Sequence, residues 1–293
     1  MTTDIDVSVL VVNYKTPHLT KMCIESILMQ RGVQLEIIVV DNHSQDQSVA
    51  LLQEKFGEQI TLIANQDNLG FGKANNQAFS LSRGHYIFML NPDASFLTPH
   101  DLVNAIQFLT AHPEIGLAGT RVINAQGAVE TTTFLHYPKQ RQSTINFSIL
   151  PGHLSCVLGA SMVTTREAFL KVNGFDEDYF LYSEETDLCL RLRKQGYHIG
   201  YCETVTVQHE GGASEALLPS AQTIRRKQSG KYLFYCKHYS PQDVLNIARN
   251  DFKHARWNLF LLTLKKRLLG LSLKQQAKVV RHQITCDIAG AHL

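Results

Sequence analysis

The sequence predicts an α/β fold: a mainly parallel central sheet flanked by helices, followed by a helical C-terminal appendage. Three observations lead there. Apolar, β-branched runs of strand length alternate with helix-patterned segments from residue 7 to 123. The runs "VSVLVVNY" (7–14) and "LEIIVVDN" (35–42) lack polar alternation, the pattern of strands covered on both faces. From about residue 220 the chain turns helical and more basic.

Taken in order, the first strand is 7–14. Thr16-Pro17 then reads as a cap and first-turn proline, opening a helix through about Met29. The second strand, 35–42, precedes a helix in "SQDQSVALLQEKFG" that ends at Gly57. "ITLIAN" (60–65) is the third strand, "GKANNQAFSLSRG" (72–84) a helix with its stop, and "YIFMLNPD" (86–93) the fourth strand. "TPHDLVNAIQFLTAHP" is the next helix and "GLAGTRVI" (116–123) the fifth strand. Residues 124–155 read as loops. "GASMVTTREAFLKVNGFDEDYF" gives a small-residue turn, a short strand and a helix stopped near Asn173-Gly174. "HIGYCETVTVQHEGG" (198–212) is a strand leaving His209 and a glycine pair at its end. Residues 252–282 continue the helical region, with Lys253, Arg256, Lys265, Lys266 and Arg267 around Trp257, Leu259, Phe260, Leu261, Leu262, Leu264, Leu268 and Leu269.

A chain of 293 residues, 44% hydrophobic and 18% charged, is long and apolar enough for one large domain with an appendage. The expected division is 1–240 and 241–293. A net charge of +2 gives no global field toward nucleic acid. The six cysteines are scattered without a CxxC pair, so they read as buried or idle thiols of a reducing compartment. The segment "MTTDIDVSVLVV" reads as a strand, not a secretory signal. "WNLFLLTL" (257–264) is far short of the roughly 18 apolar residues of a membrane span. The expected location is cytoplasmic.

Common cofactor and nucleophile templates fail. No G-x-G-x-x-G follows the first strand, "NLGFGKA" lacks P-loop spacing, and H-E-x-x-H and G-x-S-x-G are absent. What remains is a set of acids and amides after strands, where open parallel sheets bind ligands. Asp41-Asn42 ends the second strand, Asn65, Asp67 and Asn68 follow the third, and Asn91-Pro92-Asp93 follows the fourth. Each alone is ordinary turn chemistry. A carboxylate such as Asp93 and an imidazole such as His209 suit Mg²⁺ or Mn²⁺, with a diphosphate completing the shell.

The stretch "FLYSEETDLCLRLRKQGYHIGY" (180–201) puts Glu184, Glu185 and Asp187 at the start of a helix, with Arg191, Arg193 and Lys194 near its end and Gly196 as the stop. The helix dipole by itself explains that order, with Ser183 as the N-cap. The acids therefore either start a helix or serve chemistry.

Read in sequence, "SVLVVNYKT", "EIIVVDNHSQDQS", "NQDNLGFGKANNQA", "FMLNPDA", "GASMVTTREAFLKVNGFDEDYFLYSEETDLCLRLRKQGY" and "VQHEGGAS" resemble the successive motifs of family 2 glycosyltransferases of the rhamnosyltransferase-like type. The resemblance runs from about residue 7 to 240. It implies a GT-A fold and inverting transfer from a nucleotide-diphosphate sugar, dTDP- or UDP-linked, with rhamnose favoured. The implied acceptor is a glycan or lipid-linked hydroxyl in cell-surface polysaccharide synthesis.

Asp41 matches the acid at the nucleotide base, with Asn13 and Tyr14 beside it, and Asn68, Gly70 and Asn75 line the nucleotide pocket. Asn91 and Asp93 match the D-x-D metal motif, its first acid here an amide, and His209 matches the histidine that completes the site. Glu185 matches the general base, with Glu184 the alternative. Asp187 supports the helix, and Arg225 or Lys227 helps with the diphosphate. The C-terminal helices fit either an anionic membrane surface or ordinary packing on the core. A nucleotidyltransferase and a non-catalytic sugar-nucleotide or glycan-binding protein are the competing functions.

Overall fold

A computed structural model describes residues 4–211 and 221–293, without the side chains of residues 267–269. Gly212, Ala213 and Ser214 of the last motif, and the side chains of Arg267, Leu268 and Leu269, lie outside the described residues.

The chain alternates β1 (Val7–Asn13), α1 (Pro17–Leu28), β2 (Leu35–Asp41), α2 (Ser48–Phe56), β3 (Thr61–Ala64), α3 (Phe71–Leu81) and β4 (Tyr86–Leu90). There follow β5 (Ala94–Phe96), α4 (Asp101–Ala111), β6 (Ile115–Ile123), β7 (Thr133–Phe134), β8 (Cys156–Val157), β9 (Ser161–Thr165), α5 (Arg166–Lys171), α6 (Glu184–Lys194) and β10 (His198–His209). The helices α7 (Ala221–His238), α8 (Pro241–Leu269) and α9 (Leu273–Gly290) complete it.

Among the described residues, eight strands form one sheet in the order β3-β2-β1-β4-β9-β6-β10-β5, and β7 and β8 pair separately. β1 runs parallel to β2 and β4, β2 to β3, and β6 to β10, while β9 and β5 enter antiparallel. Every residue of β1 is buried, Ser8 and Asn13 included, as its largely apolar run without polar alternation requires. Val9 and Val11 pack with Ile24 and Ile27 of α1 on one face, and Leu10 packs with Ala74 and Ala78 of α3 on the other. Burial of each such large aliphatic side chain stabilises the fold by about 1.5–3 kcal/mol. The register pairs Asn13 with Asp41, so two polar strand ends meet at one edge.

Several local expectations are corrected. The Thr16 hydroxyl does not cap α1; it donates to Asn13 Oδ1 at 2.9 Å, which turns the side chain toward the strand end. The 124–155 segment is not all loop. Val129 bridges Ile123 antiparallel, and β7 pairs with β8. The helical stretch through 282 is two helices: Gly270 turns the chain at φ 75°, and Ser272 and Gln275 form a capping box that restarts it.

The backbone divides into two units. The first, Met1–Tyr137, Leu150–Phe180 and Glu184–Ser214, holds the sheet. The second, Pro138–Ile149, Leu181–Ser183 and Glu215–Leu293, holds α7, α8 and α9. Within the second unit a Cβ on Gly230 would collide with the Tyr182 carbonyl, so glycine permits α7 to approach that strap. Asp243 binds the Thr144 N–H at 2.9 Å and both the Ser143 and Thr144 hydroxyls, and Tyr239 donates to the Pro138 carbonyl at 2.5 Å. All six cysteines are free, and four of them are buried.

Candidate active site

The site grows from the ends of the parallel strands. Asn13, fully buried, donates to Asp41 Oδ1 at 2.6 Å and to Ser44 Oγ at 3.1 Å. Its own oxygen accepts from the hydroxyls of Thr16 and Thr20 at 2.9 and 2.7 Å. Ser44 closes the ring with its hydroxyl at 2.6 Å and its N–H at 3.0 Å from Asp41. In a low-dielectric setting such a network fixes the carboxylate rigidly. Lys15, His43 and Gln45, all beside it in the chain, adopt left-handed backbone, the kind of local strain that clusters at functional sites. Tyr14 is half-buried beside this corner.

A second amide cluster adjoins it. Asn42 donates to Asn68 Oδ1 at 2.9 Å and to the Gly70 carbonyl at 3.1 Å, and its oxygen accepts from Asn65 and from the Leu69 N–H. Gly70, at φ 86°, starts α3, and a Cβ there would strike the Phe180 carbonyl. That carbonyl accepts the Phe71 N–H at 2.9 Å, tying this loop to the segment just before α6. Asn75, also buried, spends its amide on the Phe71 carbonyl at 3.0 Å.

Beyond β4 the chain turns through Asn91-Pro92-Asp93 into β5, which pairs antiparallel with the end of β10, Ala94 opposite His209. His209 Nε2 thereby lies 3.3 Å from Asp93 Oδ1. Its Nδ1 lies 3.7 Å from Glu130 Oε2. Burial works against protonation of His209, but Asp93 and Glu130 outweigh it and raise its pKa above the ordinary value. Glu130 was missed because it sits in the stretch read as loop. The Asn124–Ala128 turn and a 2.9 Å bond from Glu130 N to the Val122 carbonyl place it. The strand-ending glycine and asparagine of "NAQG" (124–127) signalled that hairpin. Among the described residues no cluster of three His, Cys, Asp or Glu side chains could hold a metal ion alone. Asp93 and His209 form a two-ligand oxygen and nitrogen set that fits a hard divalent cation once a diphosphate supplies further oxygens.

The three acids of α6 have different fates. Asp187 is fully buried and bonds Arg191 Nε at 2.6 Å, while Arg191 Nη1 holds the Val172 and Gly174 carbonyls at 2.6 and 2.8 Å. Glu184 is buried as well. Glu185 is half-buried, on the side where Gly159 leaves room: a Cβ on Gly159 would lie 3.7 Å from Glu185 Cβ. The next carbonyl, of Ala160, accepts the Asn91 N–H at 2.9 Å. The small-residue turn thus links the Glu185 corner to the Asp93 corner. The neighbouring Cys156 thiol is pushed up to about 12 by burial and then by the Glu185 charge, so it is no nucleophile.

Residues 8–172 match the family model described as glycosyl transferase family 2. The chain belongs to glycosyltransferase family 2. Residues 141–210 also match a model described as the N-terminal domain of galactosyltransferase. This family 2 chain is 23% identical over 264 residues to N-acetylglucosaminyl-diphospho-decaprenol L-rhamnosyltransferase of Mycobacterium tuberculosis, covering 76% of this chain and 81% of that protein. It is 26% identical over 230 residues to O-antigen biosynthesis protein RfbC of Myxococcus xanthus, covering 72% of this chain. It spans 18% of the length of RfbC and 30% of that of a further relative from Sinorhizobium fredii. The mannosyltransferase PcManGT of Pyrobaculum calidifontis, solved with GDP-Man and Mn²⁺, superposes with a TM-score of 0.60 at 16% identity over 99% of this chain and 87% of that one. The fold is GT-A, as the motif order implied.

Of the expected site residues, the first unit brings Asn13 to Asp41, Asn68 to Gly70, and Asp93 to His209. Arg225 and Lys227 belong to the second unit. There Arg225 pairs with Asp287 at 3.0 Å and Lys227 lies 4.7 Å from the Tyr182 ring centre.

Proposed function

We propose that the chain is an inverting glycosyltransferase that moves a sugar from a dTDP- or UDP-sugar to a glycan or lipid-linked hydroxyl in cell-surface polysaccharide synthesis. The observation that carries this reading is the 3.3 Å approach of His209 to Asp93 at the strand ends, within a family 2 chain. Rhamnose is the favoured sugar, supported by the likeness to the mycobacterial rhamnosyltransferase.

In this reading Asp41, held by Asn13 and Ser44, receives the base and ribose side of the nucleotide, with Tyr14, Asn68, Gly70 and Asn75 around it. Asp93 and His209, with Asn91 beside them, would hold Mg²⁺ or Mn²⁺. When bound, the ion supplies Lewis-acid charge to the leaving diphosphate. Glu130 Oε2 lies 3.7 Å from the far nitrogen of His209, placed to orient the ring by closing on that nitrogen. Glu185 takes the proton of the acceptor hydroxyl as that oxygen attacks the anomeric carbon. Inversion needs no covalent intermediate, so one proton acceptor suffices. Glu184 and Asp187, both buried, shape the first turn of α6.

Catalysis is assigned to residues 1–240 and surface attachment to 241–293. No helix among the described residues is long and apolar enough to cross a membrane. Trp257, Phe260, Leu261 and Leu264 nevertheless lie exposed at helical spacing on α8, near Lys253, Arg256, Lys265 and Lys266. An aromatic and aliphatic stripe with basic neighbours suits an anionic membrane surface. Trp257→Ser with Phe260→Ser should then abolish co-sedimentation with anionic vesicles; unchanged sedimentation rejects the attachment.

Thermal shift with UDP, dTDP, GDP and ADP, each with Mn²⁺ and with chelator, tests the donor assignment. Ligands that bind only the folded state raise Tm by mass action. A Mn²⁺-dependent rise with dTDP or UDP is expected. No rise with any nucleotide rejects the nucleotide-sugar reading and favours a glycan-binding protein.

A further inference from the structure

The second unit carries a cleft of about 220 Å³. Lys139 from the 138–149 strap, Lys231 from α7, and Arg281 from α9 line it, with His254 and His282. Asp251 is the carboxylate in the wall, and it is already engaged. Its Oδ1 lies 2.7 Å from Lys139 Nζ, and its Oδ2 accepts the Tyr232 hydroxyl at 3.2 Å. Neither Lys231 nor Arg281 has an ion-pair partner among the described residues.

This arrangement is costly without a ligand. Three separate segments deliver cations to one concavity, where like charges repel more strongly than in bulk water. Desolvation by the cleft walls, with the charges of Lys139, Arg281 and Lys227, holds the Lys231 ammonium below its ordinary pKa against the pull of Asp251. Lys139 also sits in left-handed backbone at φ 57°, a conformation that a lysine adopts only when its surroundings demand it. The His254 and His282 rings face each other edge-on at 6.3 Å across the same wall. The Thr285 hydroxyl and the Gln228 amide add neutral hydrogen-bonding groups beside Arg281.

We propose that this cleft is a binding site for a phosphate or diphosphate group, held by Lys231 and Arg281 and assisted by Lys139. Arg281 offers a planar fork matched to phosphate oxygens, and the lysines offer point charges. Binding of the anion relieves the repulsion among the three cations. Phosphate binding by Lys231 and Arg281 does not require the sugar-transfer assignment to hold.

Calorimetric titration of the full chain with inorganic pyrophosphate, in chelator and at low salt, tests the proposal. One bound anion per chain is expected. Lys231→Gln and Arg281→Gln should each weaken it about tenfold or more, the loss of a charge-assisted hydrogen bond. Asp93→Asn, in the other unit, should leave the affinity unchanged. Absence of pyrophosphate binding, wild-type affinity in both cleft variants, or loss of binding in Asp93→Asn overturns the site. Flotation with phosphatidylcholine vesicles containing phosphatidate separates the two sources of the group. If both cleft variants lose phosphatidate-dependent flotation and pyrophosphate competes with it, the phosphate is a lipid headgroup. If the variants lose only pyrophosphate binding, it is a free anion.

Discussion

Replacing Asp187 by alanine separates the supporting acid of α6 from the reacting one. The Asp187 side chain is 0% exposed and its pair with Arg191 spans 2.6 Å. Arg191 in turn holds two carbonyls at the end of α5. Removing the carboxylate leaves a half-buried guanidinium without its counter-charge. Breaking a buried pair costs about 3–5 kcal/mol. The Arg191 side chain keeps 22% exposure, which places the loss at the lower end, about 3 kcal/mol. At roughly 2–4 °C per kcal/mol for a unit of this size, Tm should fall by about 6–12 °C. Scanning calorimetry of Asp187→Ala, Arg191→Met and the double variant measures it. The double variant should lose less than the sum of the two, with a coupling of about 1–3 kcal/mol. Turnover assayed well below the lowered Tm should fall less than about tenfold. An unchanged Tm together with abolished turnover would refute the reasoning and make Asp187 the proton acceptor.

Other perturbations address the remaining assignments. Gly159→Ala adds only an ordinary contact beside Glu185 and should be tolerated, whereas Gly159→Leu should cover the carboxylate and lower kcat without lowering Tm; equal kcat for the two would remove Glu185 from the reacting corner. Glu130→Gln should weaken Mn²⁺-dependent nucleotide binding by about 10–100-fold, the usual effect of losing a group that orients a ligating histidine. Calorimetry showing wild-type affinity would deny it that role. Asp243 gives a pH signature. Burial raises its pKa, but the bonds from Thr144, Ser240 and Ser143 outweigh burial and hold it below the ordinary carboxylate value. A depressed folded pKa contributes stability above the unfolded pKa of about 3.9, and that contribution is lost as pH falls through the folded value. The Tm gap between wild type and Asp243→Asn should therefore be full near about pH 6 and shrink below about pH 4. A gap that is constant with pH would mean that the carboxylate charge contributes nothing.

The sheet was legible because β1, β2 and β4 are buried on both faces over most of their length and carry apolar runs without polar alternation. Asn13 was set beside Asp41 by the resemblance alone, and the register of β1 on β2 gives the physical reason. The antiparallel insertion of β9 between β4 and β6 was not legible, since "SMVTT" carries no sign of direction. β5 escaped notice because three residues give no period, yet its pairing with β10 is what sets His209 against Asp93. The acids of α6 show the limit of local reading. Helix-dipole chemistry accounts for all three, and only burial and the space beside Gly159 distinguish Glu185 from its neighbours. Gly270 and Ser272 did signal a break in the terminal helices, but the apolar and basic pattern on either side of them masked it.

Turnover of Glu185→Gln, measured with donor binding in the same preparation, tests the central assignment most directly. The amide keeps the shape of the side chain and removes its ability to take a proton. The account predicts a loss of about 10²-fold or more in kcat, with nucleotide affinity and Tm unchanged. Near-normal turnover in a variant that binds nucleotide normally would contradict it.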